Sequence, residues 1–366
     1  MSDETVLVYA GKGSSHSWVW LAGLLEARGV MTASFVDAAG FVRGLEDRPS
    51  LAVISGGDGF EIASSLSGLG FDALREFIGR GGRYIGICAG AYLPLSSRLE
   101  PFSELNLSTT RIRNVRPNHA TAAEPSPRLS VRYGSCSVFH PVRGEVVIGN
   151  GTDTLLAPVY GGPVFSEPTT DLLILRYLSF TNRTILQVES GVAEEVMIGQ
   201  PAVVECNYGD GRMTLAGPHL EHPEYPEAND CFMRLAGLSG DKGLLRRNPV
   251  CARSDTLTLD RSLADLKVAV MGMERATFIT GTKQWDGSRM LELAGAVERW
   301  KRSLDGDASQ AVSVLLDQSR ESLMSAGPDK MSDSDSAPGL LVEAARLTVD
   351  RHFRAVRDGF ILADNH

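Results

Sequence analysis

The sequence has few cysteines and none arranged as Cys-x-x-Cys: five are scattered over 366 residues. That spacing argues against a disulfide framework and against a thiolate zinc site. A reducing cytoplasm, which keeps such thiols free, is the expected location. Positive charge is also in deficit. Lys and Arg number 36 against 45 Asp and Glu, a net charge of -9, which speaks against nonspecific binding to nucleic acid or to an anionic membrane surface. No apolar run approaches the roughly 20 residues that span a bilayer. The opening Met1-Ser2-Asp3-Glu4 is acidic and carries no sign of a secretory leader. The loop Gly11-Lys12-Gly13-Ser14-Ser15 lacks the spacing of a phosphate-binding P-loop. His119 and His140 stand apart with no metal-ligand spacing, so neither a metal nor a cofactor is expected. What remains is an ordinary soluble composition, 43% hydrophobic and 22% charged, at a length that suits two domains.

One stretch stands out against this background. Gly82-Arg83-Tyr84-Ile85-Gly86-Ile87-Cys88-Ala89-Gly90-Ala91-Tyr92 is a short apolar run ending at a cysteine bracketed by two glycines, with helix-forming residues from 91 to 95. A strand that turns sharply into a helix lifts one reactive side chain clear of the sheet. It needs glycine two residues to either side, where a Cβ would collide. The start of the following helix favours a thiolate at Cys88. The other cysteines, Cys136, Cys206, Cys231 and Cys251, read as core residues.

A nucleophile needs a base. Gly211-Arg212-Met213-Thr214-Leu215-Ala216-Gly217-Pro218-His219-Leu220-Glu221 reads as turn, strand and His-x-Glu. A histidine at a strand end, oriented by a carboxylate two residues on, can take the thiol proton and return it to a leaving group. The pattern is repeated at once in His222-Pro223-Glu224. His219 and Glu221 are preferred because they follow the strand directly; His222 and Glu224 are the alternative members.

These motifs resemble the class I glutamine amidotransferase superfamily. The longer string from Gly86 to Tyr92 is similar to one branch of it, the amidotransferase-like domain at the N-terminus of eukaryotic biotin-protein ligases and in stand-alone microbial proteins. Val6-Leu7-Val8-Tyr9, Ile54-Ser55-Gly56-Gly57-Asp58 and Tyr160-Gly161-Gly162-Pro163 fit the same branch, so the resemblance covers roughly residues 4–235. It implies a flavodoxin-like, doubly wound, mostly parallel sheet. It also implies an oxyanion site built from the backbone N–H groups of Gly57 and Ala89, with Asp58 and Tyr92 facing substrate. Two positions depart from the working amidotransferases. Tyr92 stands where they usually carry a glutamine that helps hold the substrate, and Leu220 replaces the proline of His-Pro-Glu. Nothing resembles the Gly-Arg-Gly-rich loop of a biotin ligase, so biotin transfer is not implied.

Strands are expected at 6–10, 31–36, 51–55 and 84–87, with helices at 17–28, 38–46 and 71–79 between them. Such alternation predicts a parallel sheet covered by helices, with ligands at the carboxyl ends of its strands, where Gly57, Cys88 and His219 all fall. From 107 to 199 the pattern turns antiparallel, with strands at 129–133, 137–140, 146–148, 171–177, 183–188 and 193–198. A hairpin joins 203–208 to 212–216 through Gly209-Asp210-Gly211. The α/β domain is placed at 1–248. A helical extension follows at 249–366, with helices at 261–273, 288–304, 308–324 and 339–360 and a mobile linker near 325–337. The extension is expected to be dispensable for folding of the α/β part, and Trp285 and Trp300 read as packing residues. It is also the natural place for a protein partner or for self-association.

The sequence therefore predicts thiol-dependent hydrolysis or transfer at an amide-type carbon–nitrogen bond of a small molecule. Two alternatives stand beside it: a noncatalytic binding module on the same fold, and a cysteine peptidase-like hydrolase.

Overall fold

The computed structural model describes residues 4–113, 130–133, 136–139, 142–168, 170–186, 188–240, 257–272, 278–280, 283–326 and 336–364. His119, His140, Cys251 and most of the expected linker (327–335) lie outside the described residues, as does the side chain of Cys136.

The first half alternates as the sequence suggests: β1 (Val6–Tyr9), α1 (Ser17–Ala27), β2 (Ala33–Val36), α2 (Ala38–Glu46), β3 (Leu51–Ile54), α3 (Gly59–Gly79), β4 (Arg83–Ile87) and α4 (Ala89–Tyr92). Helix α3 begins earlier than expected because Asp58 caps it, accepting from the N–H groups of Phe60 and Glu61. A kink at Ser67 divides it. The middle of the chain adds β5 (Ser130–Tyr133), β6 (Cys136–Phe139), β7 (Val142–Gly149), β8 (Thr154–Val159), β9 (Leu172–Leu186), α5 (Ser190–Met197), β10 (Pro201–Tyr208), β11 (Gly211–Ala216) and α6 (Pro226–Ala236). The extension supplies α7 (Leu257–Met271), the hairpin β12 (Phe278–Thr280) and β13 (Lys283–Trp285), α8 (Gly287–Trp300), α9 (Gly306–Ala326) and α10 (Ser336–Asp364).

Nine strands form one sheet in the order β2-β1-β3-β4-β11-β10-β9-β7-β8. The first four pairings are parallel and the last four antiparallel. The sheet is thus mixed rather than mostly parallel, and the antiparallel strands continue it instead of forming an elaboration beside it. Two expectations change for local reasons. The segment at 171–177 and the first part of that at 183–188 lie on one long strand, β9, and the segment at 193–198 lies in helix α5 up to Met197. Ala193, Val196 and Met197 are its buried residues, at the three- and four-residue spacing of a helix face rather than the alternation of a strand.

Alternation along the inner strands sends side chains to two separate cores. Val6, Val8, Leu51, Val53, Ile85 and Ile87 face α1, α6 and the extension, while Leu7, Tyr9, Ala52, Ile54 and Tyr84 face α2 and α3. The first core runs without a break into α7, α8, α9 and α10. Helix α10 also covers the sheet edge at β2. The Phe35 N–H donates to Asp350 (3.1 Å), Arg346 reaches the Phe35 carbonyl (3.5 Å), and the Phe35 and Phe353 rings meet at 5.0 Å. An edge strand covered in this way is closed to further pairing.

Candidate active site

Strand β4 delivers Cys88 into a backbone conformation (φ 52°, ψ -107°) that residues with a Cβ seldom adopt. The reason lies in its neighbours. A Cβ at Gly86 would stand 2.5 Å from the Gly90 carbonyl oxygen, and one at Gly90 would stand 2.0 Å from that of Ile54. Both glycines of the elbow are therefore sterically required. The turn is pinned to the flanking strands, with Cys88 N–H donating to Ala216 O (2.8 Å) and Gly90 N–H to Ser55 O (3.2 Å).

Strand β11 lies beside β4 in parallel register, Ala216 opposite Ile87, so the residues just beyond it come level with the thiol. His219 lies close enough to Cys88 for the two to influence each other's charge. Its Nδ1 lies 2.8 Å from Glu221 Oε1, which leaves Nε2 as the nitrogen open to sulfur. The three side chains are almost sealed from solvent, Cys88 at 7%, His219 at 3% and Glu221 at 0% exposure. Burial alone would lower the pKa of His219, but the charge of Glu221 and that of ionised Cys88, with the hydrogen bond to Glu221, raise it to about 10.

Behind the carboxylate runs a chain of buried hydroxyls absent from the sequence reading. Ser55 Oγ donates to Glu221 Oε1 (2.8 Å), Ser55 shares a hydrogen bond with Ser17 (2.9 Å), and Ser17 shares one with Ser15 (2.9 Å). Ser17 Oγ also accepts from the Gly56 N–H (3.0 Å). No periodicity marks these serines. The one signal is that Ser55 ends an apolar run and directly precedes the glycine pair. The second oxygen of Glu221 is buried with no hydrogen-bond partner among the described residues.

The glycine pair itself has a definite cause. A Cβ at Gly56 would stand 2.8 Å from both His219 Cε1 and Ser17 Oγ, and one at Gly57 would stand 2.2 Å from Gly13 O. The pair makes room for the histidine and for the 11–15 loop, which bridges onto Gly57 through Ser14. Among the described residues, no backbone hydrogen bond takes the N–H of Gly57 or of Ala89. Asp58 is engaged as the cap of α3. The Tyr92 hydroxyl donates to Gly161 O (3.0 Å), tying α4 to the 160–163 loop.

The duplicated motif is not part of the triad geometry. His222 packs on Trp20 (4.3 Å between centroids) and Tyr225 (5.2 Å), and its Nδ1 accepts from the Glu224 N–H. Glu224 faces Arg183 at 3.4 Å. Trp20 and Tyr160 also flank the His219 ring, each at 5.6 Å, and wall the site with aromatic surface. Two basic side chains feel the charge of an ionised Cys88: Arg143 from β7 and Lys283 from the extension. Burial lowers the pKa of both, with the Arg289 guanidinium adding to the effect, and Lys283 comes down to about 7. Cys206 and Cys231 are free and buried, and burial raises their thiols, Cys206 to about 12. Among the described residues, no group of three or more His, Cys, Asp or Glu side chains is arranged to hold a metal ion. Nor is any helix there long and apolar enough to cross a membrane.

Residues 4–108 match the family model described as biotin-protein ligase, N terminal. The match spans Gly57, Asp58, Cys88, Ala89 and Tyr92 and ends before His219. No curated protein is significantly similar in sequence. Solved structures similar to the chain include a catalytic mutant of Gan42B, a GH42 beta-galactosidase from G. stearothermophilus (TM-score 0.38, 10% identity, 65% of this chain and 30% of that one). The beta-galactosidases from Bacillus circulans sp. alkalophilus (0.32, 11%, 64% and 31%) and Rahnella sp. R3 (0.34, 11%, 63% and 31%) are also similar. The chain spans less than a third of the length of these structures.

Proposed function

We propose that the chain is a cysteine-dependent enzyme of the amidotransferase-like type, acting at an amide-type carbon–nitrogen bond of a small molecule. The observation that carries this reading is the buried series Cys88–His219–Glu221, held from behind by Ser55 and Ser17 at an elbow whose backbone is strained at the cysteine. Strain and buried charge together in one place mark sites where a fold carries chemistry. The Cys88 sulfur attacks the amide carbon while the thiol proton passes to His219. The carbonyl oxygen, now negative, rests on the N–H groups of Gly57 and Ala89. Collapse breaks the carbon–nitrogen bond as His219 protonates the departing amine, leaving a thioester on Cys88. Water or an acceptor resolves it and restores the thiol. Glu221 keeps the His219 ring in register and balances its charge. The parallel strand order β2-β1-β3-β4-β11 with helices on both faces supports a flavodoxin-like arrangement for this half of the molecule, and a reducing cytoplasm suits a free thiol.

A second reading, a noncatalytic binding module, is favoured by Tyr92. Its hydroxyl is engaged with Gly161, so it does not replace the polar grip of the glutamine usual at that position. One experiment decides between the two. The chain and its Cys88→Ala variant are incubated with a panel of small amides and read by intact mass. The enzyme reading expects a mass increment that is lost in the variant, with glutamine among the poorest donors. No increment with any amide would favour the binding module.

A further inference from the structure

The helical extension also shapes a cavity at the strand ends. This cavity of about 450 Å³ lies between the 10–14 loop, at the carboxyl end of β1, and the extension. Asp37 and Asp58, from the ends of β2 and β3, form part of one wall, and Lys283, Trp285 and the first turns of α10 form the other. Ligands of open α/β sheets sit in this place, outside the strand ends where the chain order reverses. The volume suits a small molecule.

The charges around the cavity select the ligand. Its carboxylates are already engaged. Asp37 accepts from the Gly40 N–H, Asp58 caps α3, Glu61 pairs with Lys12 at 2.6 Å, and Glu343 pairs with Arg346. Lys283 differs. It lies over the Trp285 ring at 4.6 Å, and among the described residues no carboxylate is within ion-pair range of it. Its side chain is half-buried against the cavity. Burial and the Arg289 guanidinium both disfavour its charge, and an anion would relieve both effects.

We propose that this cavity binds a small molecule carrying a carboxylate, with Lys283 as its counter-ion. The proposal goes beyond the reading above and does not depend on it, since neither Cys88 nor His219 lines the cavity. One ammonium suits one carboxylate. A phosphate dianion calls for several donors.

The test uses the full chain carrying Cys88→Ala, so that no chemistry takes part. It is titrated calorimetrically with succinate, with its neutral diamide succinamide and with inorganic phosphate. The titrations are repeated with Lys283→Met and Lys283→Arg added, and melting by circular dichroism confirms that each variant is folded. Succinate is expected to bind at least tenfold more tightly than succinamide. Lys283→Met should remove that preference and Lys283→Arg should keep most of it. Equal binding of succinate and succinamide, a preference that survives Lys283→Met, tighter binding of phosphate, or no binding at all would each overturn the proposal. Because Cys88 is absent, these outcomes do not depend on catalysis. Succinate binding beside a native chain that no amide acylates would sink the enzyme reading and leave the cavity assignment standing.

Discussion

Glu221 is wholly enclosed, and His219 and Ser55 both address the same one of its oxygens. A buried carboxylate held by so few partners is sensitive to the loss of any of them, because a desolvated charge without its hydrogen bonds is costly. Ser55→Ala should therefore destabilise the fold by about 1–3 kcal/mol, measured as a shift in urea midpoint. The same change should slow alkylation of Cys88 by iodoacetamide, since Glu221 would no longer fix the His219 ring. A variant as stable and as reactive as the native chain would mean that the serine chain is incidental. The elbow and His219-x-Glu221 were legible in the sequence because glycine sterics and strand ends are local properties. The serines were not, because a hydroxyl declares its role only through partners brought in by the fold. Ser17 and Ser55 are 38 positions apart and share one hydrogen bond.

At the scale of elements, the parallel strands were readable from short apolar runs between helical segments, and helix α2 matched its expected span from Ala38 to Glu46. The hairpin of β12 and β13 was not foreseen. Strands of three residues are too short to show a period, and so Lys283 escaped notice. Helix α5 was misread because its valines and glutamates look like a strand until they are set on a 3.6-residue turn. Helix α10 has a role that its sequence alone does not show, covering the edge at β2 through Asp350, Arg346 and Phe353. Phe353 is fully buried. Phe353→Ala should destabilise the whole chain by about 3–5 kcal/mol, seen in a single unfolding transition. Loss of the helical signal alone, with the sheet unfolding unchanged, would show that α10 does not brace the sheet.

At the scale of the molecule, one core cluster holds residues of the sheet and of the extension, on both sides of the expected boundary near residue 248. Polar contacts join the same parts. Glu26 on α1 accepts from Trp300 (3.1 Å), faces His352 (2.8 Å) and pairs with Arg299 (2.5 Å). Burial alone would raise the Glu26 carboxyl, but these partners hold it below its ordinary value of 4.5. A lowered carboxyl contributes stability that is present above the unfolded value and lost as pH falls through the folded one. The stability gap between the native chain and Glu26→Gln should therefore be full near pH 7 and close in acid below 4.5, measured by urea unfolding across pH. A gap that stays constant into acid would show that this carboxylate does not help to hold the extension.

The central claim is that Cys88 is a nucleophile activated by His219. It is tested most directly by the rate of iodoacetamide labelling at neutral pH, read peptide by peptide, in the native chain and in His219→Asn. The account predicts that Cys88 labels well ahead of Cys206 and Cys231, whose thiols burial holds in the protonated form. It also predicts that the Cys88 rate falls about a hundredfold when the base is removed. Faster labelling at Cys206 or Cys231, or a Cys88 rate indifferent to His219→Asn, would contradict it.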